Sequence, residues 1–508
     1  GLVDWQTLAF EKFKGIGTHL KLYVEKGGVF YDVTPLRESG TLGNNPFTTT
    51  DTSAVVAVAD TTHGLTAGSY VHYSGAAAVG GITIDGEYTV TSVTNANAYT
   101  ITHSAPATST STGGGAAVAY QYEINIGSAS SIGGQGWGAG NWNAGTWNTA
   151  RTVSNFLTQA RLWSMDNWGE DLIACPRQGS IYLWDASVGV ATRAAIISAA
   201  PVTAKAILLS PEARHLIALG AYDGAADDPL LIRWCSSEDY TAWTETDTNT
   251  AGSQRLDGGN EIYCGIRTDR EILVFTDTTL ASMTYQGSPY QFEIRTRGAN
   301  GGLCGPNAVK EYDGRVFWMA NRAFYVYDGQ IKVLSCDVLS HVFDSFNTAN
   351  RLLVFAGANR KWNEIWWLYP SQNATECDRY VMFNPVENHW SYGTIDRTAY
   401  VGDSDTFTSP YATGSDGYLY DHESTVNADG AALSASLESY DVEIGNGEFM
   451  MQLRKLVPDF KRFTGSVTVQ LNGKKYPHSS ETQQSAALVL TSTTEFVNPK
   501  LRARQISL

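Results

Sequence analysis

The sequence predicts an all-β protein: a β-propeller of six or seven blades, an inserted small β-barrel or sandwich, and a C-terminal β-sandwich. Three observations lead there. A hairpin with aromatic residues on one strand and small or apolar residues on the other recurs at a spacing of about 35 to 50 residues, the period of a propeller blade. The 508 residues include 49 Gly and 11% aromatic residues but only 17% charged ones, below the roughly 25% usual for globular chains. Apolar runs are short, alternate with polar residues, and end at Gly, Asn or Asp. The length itself calls for two or three domains.

Residues 1–44 are read as N-terminal strands that complete the propeller. HLKLYV and VFYDVT alternate around the turn EKGG (19–34). This hairpin is expected to finish the last blade, closing the ring with strands from both chain ends and removing an open edge. Residues 45–126 form the inserted β-rich domain. They are rich in Thr, Ala, Ser and Gly, and hold five strand-like runs such as SAVVAVAD and GEYTVTSVT. Residues 127–154 are a Gly/Trp-rich loop, with Trp137, Trp142 and Trp147 recurring every five residues. That spacing fits neither helix nor strand. The segment GSASSIGGQGWGAGNWNAGTWNTA carries no Lys or Arg to hold a phosphate, which argues against base stacking.

Residues 155–424 carry the blades. EDLIACPRQGSIYLWDA gives the pattern: a strand at Leu172–Cys175, a Pro-Arg-Gln-Gly turn, and a returning strand at Ile181–Trp184. Five further units follow, including REILVFTDTTLASMTYQG, DGRVFWMANRAFYVYDGQIKVLS and YATGSDGYLYDHES. A blade cannot bury both faces alone and must stack on its neighbours. Trp163, Trp168 and Trp184 are therefore expected between blades, and Glu170 and Asp171 at a solvated turn. Residues 425–508 are read as a C-terminal β-sandwich of five strands. Basic residues concentrate there: Arg454, Lys455, Lys461, Arg462, Lys474, Lys475, Lys500, Arg502 and Arg504.

The chemistry-bearing patterns are sparse. Cys175, Cys235, Cys264, Cys304, Cys336 and Cys377 form no C-x-x-C pair, so buried reduced thiols are expected and a zinc site is not. There is no H-E-x-x-H, G-x-S-x-G or P-loop. Asp403, Asp405, Asp416 and Asp421 sit near turns and could serve calcium only if six to eight oxygens converged. SSEDYTAW (236–243) resembles the Asp-box of sialidase blades but lacks its Gly, and such a box is a fold device. Asn373 opens a lone glycosylation-type triplet. Catalytic, cofactor and metal residues are accordingly expected to be absent. No run of 18 apolar residues occurs. The opening GLVDWQTLAF lacks both an initiator Met and a signal-peptide pattern, which points to processing or to a start inside a longer chain. The net charge of −16 disfavours coating nucleic acid, because phosphate binding needs clustered Lys and Arg.

Three stretches also carry a resemblance. GIGTHLKLYVEKGGVFYDVTPLR, ARLWSMDNWGEDLIACPRQGSIYLWD and IRWCSSEDYTAWTETDTNTAGSQRLDGGNEI resemble, in the same order, segments of the tail nozzle or tubular tail proteins of short-tailed bacteriophages. The resemblance implies a non-enzymatic virion tail subunit, assembled in the bacterial cytoplasm as a ring, expected to be a hexamer. It implies a conduit for genome ejection below the adaptor protein. Double-stranded DNA would pass through the lumen without specific binding. Tail fibres and the host outer membrane at the distal tip would be further contacts. An acidic lumen would repel DNA rather than hold it. Two other readings remain: a receptor-binding or fibre-anchoring tail protein, and a carbohydrate-active propeller enzyme with carboxylates or Arg converging in the central channel.

Overall fold

The computed structural model describes the chain except residues 128–161, 300, 403, 405, 426, 429, 433–436, 461–462 and 481. The Gly/Trp loop and its three tryptophans, and the candidate calcium ligands Asp403 and Asp405, lie outside the described residues. The chain separates into two compact units, residues 1–424 and 425–508.

The first unit is a seven-bladed propeller. Six antiparallel sheets of four strands and a seventh of three follow one another along the chain. Their innermost strands are Leu2–Gln6, Trp163–Trp168, Ala206–Leu209, Ile262–Arg267, Val309–Tyr312, Phe355–Asn359 and Ala399–Val401. Each lies beside the next, and the last lies beside the first. The N-terminal hairpin does not complete the last blade. Leu22–Lys26 and Val29–Asp32 are the outer strands of a blade of their own, whose inner strands are Leu2–Gln6 and Lys12–Gly17. The inner strands escape the sequence pattern because KFKGIG holds two glycines where apolar residues would signal a strand. Gly17 has a packing reason: a Cβ there would lie 2.3 Å from Cγ of Trp163 in blade 2. The indole fills that space and donates to the Thr18 carbonyl at 2.9 Å.

The core lies between blades. Trp5 and Phe13 of blade 1 pack on Trp184 of blade 2 with ring centroids 6.2 and 5.6 Å apart. Trp168 meets Tyr240 of blade 3 edge-on at 5.5 Å. All three tryptophans singled out from sequence thus bridge blades. Apolar clusters continue from blade 2 to 3, 3 to 4, 4 through 6, and 6 to 7.

The seam between blades 7 and 1 is different in kind. Lys14 of blade 1 places its ammonium 4.4 Å from the Phe407 ring and 4.9 Å from that of Tyr411 in the last blade. Lys12 donates to the Thr406 carbonyl, and Ser404 to the Asp4 carboxylate. Lys14 keeps a carboxylate, Glu25, at 3.6 Å. The ring is closed by cations on aromatic faces rather than by a shared strand.

The inserted domain is one eight-stranded antiparallel sheet, in the order Ser111–Gly113, Phe47–Thr49, Val55–Ala59, Ala98–Thr102, Gly86–Asn95, Tyr70–Ser74, Ala119–Glu123, Leu36–Thr41. Its Phe47 and Tyr73 come from strands that are not neighbours, yet their rings lie 5.2 Å apart, so the sheet curls over a single core. Val55–Ala59 buries every second residue, as a strand with one wet face must. The domain begins earlier than residue 45, because Leu36–Thr41 (LRESGT) is almost wholly exposed and carries no apolar alternation to mark it. In the core, Tyr73, Tyr99 and Tyr122 are linked by their hydroxyls, and Tyr122 donates to Asp60 at 2.6 Å.

The second unit is built of short strands. Val442–Glu443, Gln505–Ser507, Asn472–Lys474 and Thr482–Gln484 form one sheet, and Met451–Leu453/Leu501–Ala503 and Ser466–Val469/Leu488–Thr491 form two ribbons. Its buried cluster is Met451, Leu471, Leu501, Ala503 and Ile506.

Two outcomes test this packing. Gly17→Val should lower stability by about 3 kcal/mol through overpacking against Trp163, read in a denaturant melt. Lys14→Ala should lower it by about 2 kcal/mol through loss of two cation–π contacts. An unchanged melt for both variants would contradict the inter-blade account.

Candidate functional site

A dense constellation of ionisable groups lies where the inserted domain leaves and re-enters the propeller. Lys21 stands just before the third strand of blade 1, and Asp32 ends the fourth. Glu123 ends the last strand of the inserted domain, and Glu87 lies in its longest strand. Arg193 comes from blade 2, just before its short outermost strand. The Lys21 ammonium lies 2.8 Å from Asp32 and 3.2 Å from Glu123, and also pairs with Glu87. The Arg193 guanidinium reaches Asp32 at 2.6 Å and Glu123 at 3.0 Å, and donates to the Thr34 carbonyl at 3.2 Å.

The three carboxylates have oxygens within 4.8 Å of one another, a spacing that could hold a metal ion. Lys21 supplies the positive charge at that place instead. Burial opposes the charge on Lys21, but hydrogen bonds to Asp32 and Glu87 outweigh it and hold the ammonium above its ordinary range. Asp32 is pushed up by burial and pulled down further by its bonds from Lys21 and Thr34, so it sits below the usual carboxylate range. Burial raises Glu123 despite Lys21, and one of its oxygens has no hydrogen-bond partner. The group is an electrostatic clamp that ties the insert to blades 1 and 2. No local pattern marks it, since its members are far apart: 161 positions separate Asp32 from Arg193.

Innermost strands line a propeller's channel, and two charged layers lie on or beside them here. At one end Arg177, from the CPRQG turn of blade 2, crosses blade 3 to reach blade 4. It donates to the Tyr263 carbonyl at 2.9 Å, the Ile262 carbonyl at 3.3 Å and the Lys205 carbonyl at 3.4 Å. Glu261 lies 3.7 Å away and also pairs with Lys205. Burial lowers the pKa of Arg177 and of Lys205, and Glu261 works against it in both. At the other end Arg267 reaches Asp166 at 3.0 Å, whose second oxygen accepts the Leu209 amide at 2.8 Å. Burial raises Asp4, with Ser404 and Lys310 opposing. Burial lowers Lys310, reinforced by Arg360 and opposed by Glu311 and Asp4. These layers staple blades together around the channel.

The motifs singled out from sequence fall in turns. Glu170 accepts the Leu8 amide at 2.9 Å and Asp171 the Ala186 amide at 2.9 Å. In SSEDYTAW, Asp239 accepts the Thr241 amide at 2.9 Å, and buried Trp243 donates to the Tyr240 carbonyl at 2.7 Å. That is a turn lock. Asp416 caps its own turn through the Tyr418 amide at 3.1 Å and the Tyr420 hydroxyl. All six cysteines are free thiols. Burial pushes Cys175, Cys235, Cys264 and Cys304 up to about 12 and Cys336 to about 11. They stay protonated at neutral pH and are poor nucleophiles.

A second cluster lies on the rim between blades 6 and 7. Half-exposed Trp362 donates its indole N–H to Glu423 at 2.8 Å, and Lys361 lies 5.2 Å over its ring. Trp366 donates to Glu364 at 3.0 Å. Burial raises Glu364, the Trp366 bond opposes this, and Glu423 adds to the rise.

No protein-family model matches the chain, and no curated protein sequence is similar to it. Among solved structures, a fungal alcohol oxidase of the AA5 family in complex with copper is 10% identical over 94% of this chain and 92% of its own, with a TM-score of 0.38. Phage phi92 endosialidase is 11% identical over 96% and 75%, at 0.22. Kluyveromyces lactis Hsv2 is 11% identical over 52% and 74%, at 0.31. Likenesses this low carry no functional argument, and the propeller assignment rests on the sheet order described above.

Lys21→Met leaves Asp32 and Glu123 with Arg193 alone and takes the cation from Glu87, and should destabilise the chain by about 3–5 kcal/mol, as breaking a buried pair does. The pH dependence carries its own sign. Asp32, held low, stabilises above the unfolded carboxylate pKa, and that contribution is lost as pH falls through the folded value. Lys21, held high, stabilises below about pH 10.4, and its contribution is lost as pH rises through the folded value. Wild type should therefore weaken at both extremes, and Lys21→Met should lose the alkaline part of the dependence. Thermal melts across pH check this; parallel curves for the two chains would contradict the clamp.

Proposed function

We propose that the chain is a non-enzymatic structural subunit of a short-tailed bacteriophage tail, one copy of a ring-shaped nozzle or tail-tube conduit below the adaptor. The observation that carries the reading is the clamp. Five charged groups, each on a different strand or strand end, hold the inserted domain to blades 1 and 2, as a part under force requires and a mobile lid does not. The ordered resemblance of three sequence stretches to tail nozzle proteins points the same way. Charge adds support: residues 1–424 carry 43 Asp and Glu against 26 Lys and Arg, an excess that favours a conduit from which DNA slides free. Adaptor, fibres and the host surface are the partners this reading implies, and the virion tail its location.

The Trp362 cluster favours a second reading, receptor binding or carbohydrate chemistry at the rim of blades 6 and 7. An exposed indole face beside two carboxylates suits a sugar ring, and Glu364, raised by burial, suits an acid.

Light scattering on the purified chain should give a mass of about six times 55.1 kDa, with no release of sugar from bacterial surface glycans. Electrophoresis with duplex DNA at low salt should show no shift, since a surface poor in clustered cations releases few counterions. Glycan turnover by a monomer would replace the conduit with the enzyme reading. Tight, salt-sensitive DNA binding would contradict a non-adhesive lumen.

A further inference from the structure

The last blade is short, and its neighbour shows the consequence. Each of the first six blades has four strands, whereas the seventh ends at its third, Leu419–Asp421, among the described residues. The face that blade 6 turns toward it is therefore covered only in part. Trp366, on the second strand of blade 6, stacks on Tyr400 of the innermost strand of blade 7 at 5.9 Å. Tyr380, on the third strand, lies 4.6 Å from Trp366. Its ring rests against the backbone of Gly393 on the strand opposite, where a Cβ would lie 2.7 Å from it. Trp366 and Tyr380 both stay partly exposed.

Polar groups converge on this stack with bonding capacity to spare. Glu364 accepts the Trp366 indole N–H with one oxygen at 3.0 Å. Its other oxygen and the Tyr380 hydroxyl take no hydrogen bond among the described residues, and neither is sealed from solvent. Glu364 also stands opposite Asn359. The Asn359 amide donates to Glu423, the carboxylate that fixes the Trp362 indole. Trp362, 54% exposed, is thus tied to the same surface, and its backbone carbonyl is held by Asn384 at 3.2 Å.

What this surface already holds decides what it can take. The place of a cation is filled, because Lys361 lies 5.2 Å over the Trp362 ring and pairs with Glu423 at 3.3 Å. An anion would meet Glu364 and Glu423. A ligand with an apolar C–H face and several uncharged hydroxyls meets neither obstacle. Its C–H groups can lie on the rings, while its hydroxyls donate to Glu364 and exchange bonds with Tyr380.

We infer that the groove between blades 6 and 7, from Trp362 to Tyr380, binds a neutral oligosaccharide, with the two rings as platforms and Glu364 as hydroxyl acceptor. The inference rests on the second reading above, names its ligand class, and is independent of whether the chain forms a ring.

The test uses the full chain and saturation-transfer NMR. Lactose, maltose and cellobiose serve as neutral probes, sialyllactose as the acidic one and choline as the cation. At least one neutral disaccharide should bind in preference to sialyllactose and choline. Trp362→Ala and Tyr380→Leu should each weaken that binding about tenfold, with unchanged circular dichroism. Tyr380→Leu alone binding as wild type does would overturn the groove and leave the rim reading standing. Sialyllactose or choline bound in place of the neutral sugars, with the same loss in Trp362→Ala, would overturn the ligand class and also leave that reading standing. Trp362→Ala binding as wild type does, or no saturation transfer to any probe, would overturn both.

Discussion

A propeller stands only if its last blade meets its first, and in this chain lysines on aromatic faces make that meeting. Every other pair of neighbouring blades shares an apolar cluster. The final seam instead sandwiches Lys14 against Phe407 and Tyr411, with Asp4 and Ser404 joined beside it. A lysine can fill this role because its stem is apolar while its head seeks π-faces and carboxylates. The Tyr411 hydroxyl is buried there without a partner. Desolvation, with Asp4 and Glu25 nearby, holds it far above the usual phenol range, so the face offered to Lys14 remains a neutral ring.

The same economy of charge runs through the rest of residues 1–424. Ionised groups that leave the surface are gathered where separate segments must be joined: the clamp at the root of the insert, and the Arg177 and Asp166 layers around the channel. Buried pairs of this sort contribute little net stability against well-packed apolar residues, yet are costly to break. What they supply is a fixed arrangement of parts. The remaining acidic side chains stay on the surface, where their excess can act at longer range. Residues 425–508 are close to balance, with nine basic and eight acidic side chains.

The fold was legible where strands are buried on both faces. Leu216–Leu219 and Ile272–Thr276 are buried at every position, so they read as unbroken apolar runs, and the recurring hairpin of the sequence holds the middle pair of strands in blades 2 to 6. Edge strands carry no such mark: Gly252–Arg255 and Ala195–Ile196 are largely exposed. Lys12–Gly17, an inner strand of blade 1, hides behind its glycines. In the sequence, the outer hairpin of blade 1 therefore reads as part of another blade. The inter-blade tryptophans could be read from composition, because few other environments hold so many indoles. The clamp and the seam could not. They join residues as far apart as Lys12 and Thr406, 394 positions away, and single charged residues in strands look like solvated surface until the topology brings them together.

Electron microscopy of the purified chain, averaged for rotational symmetry, tests the central claim most directly. The account predicts a six-fold ring with an open centre, in which each copy contributes one seven-bladed disc and one inserted domain held at a constant angle to it. Single discs without rotational symmetry, or inserted domains smeared over many angles, would contradict it.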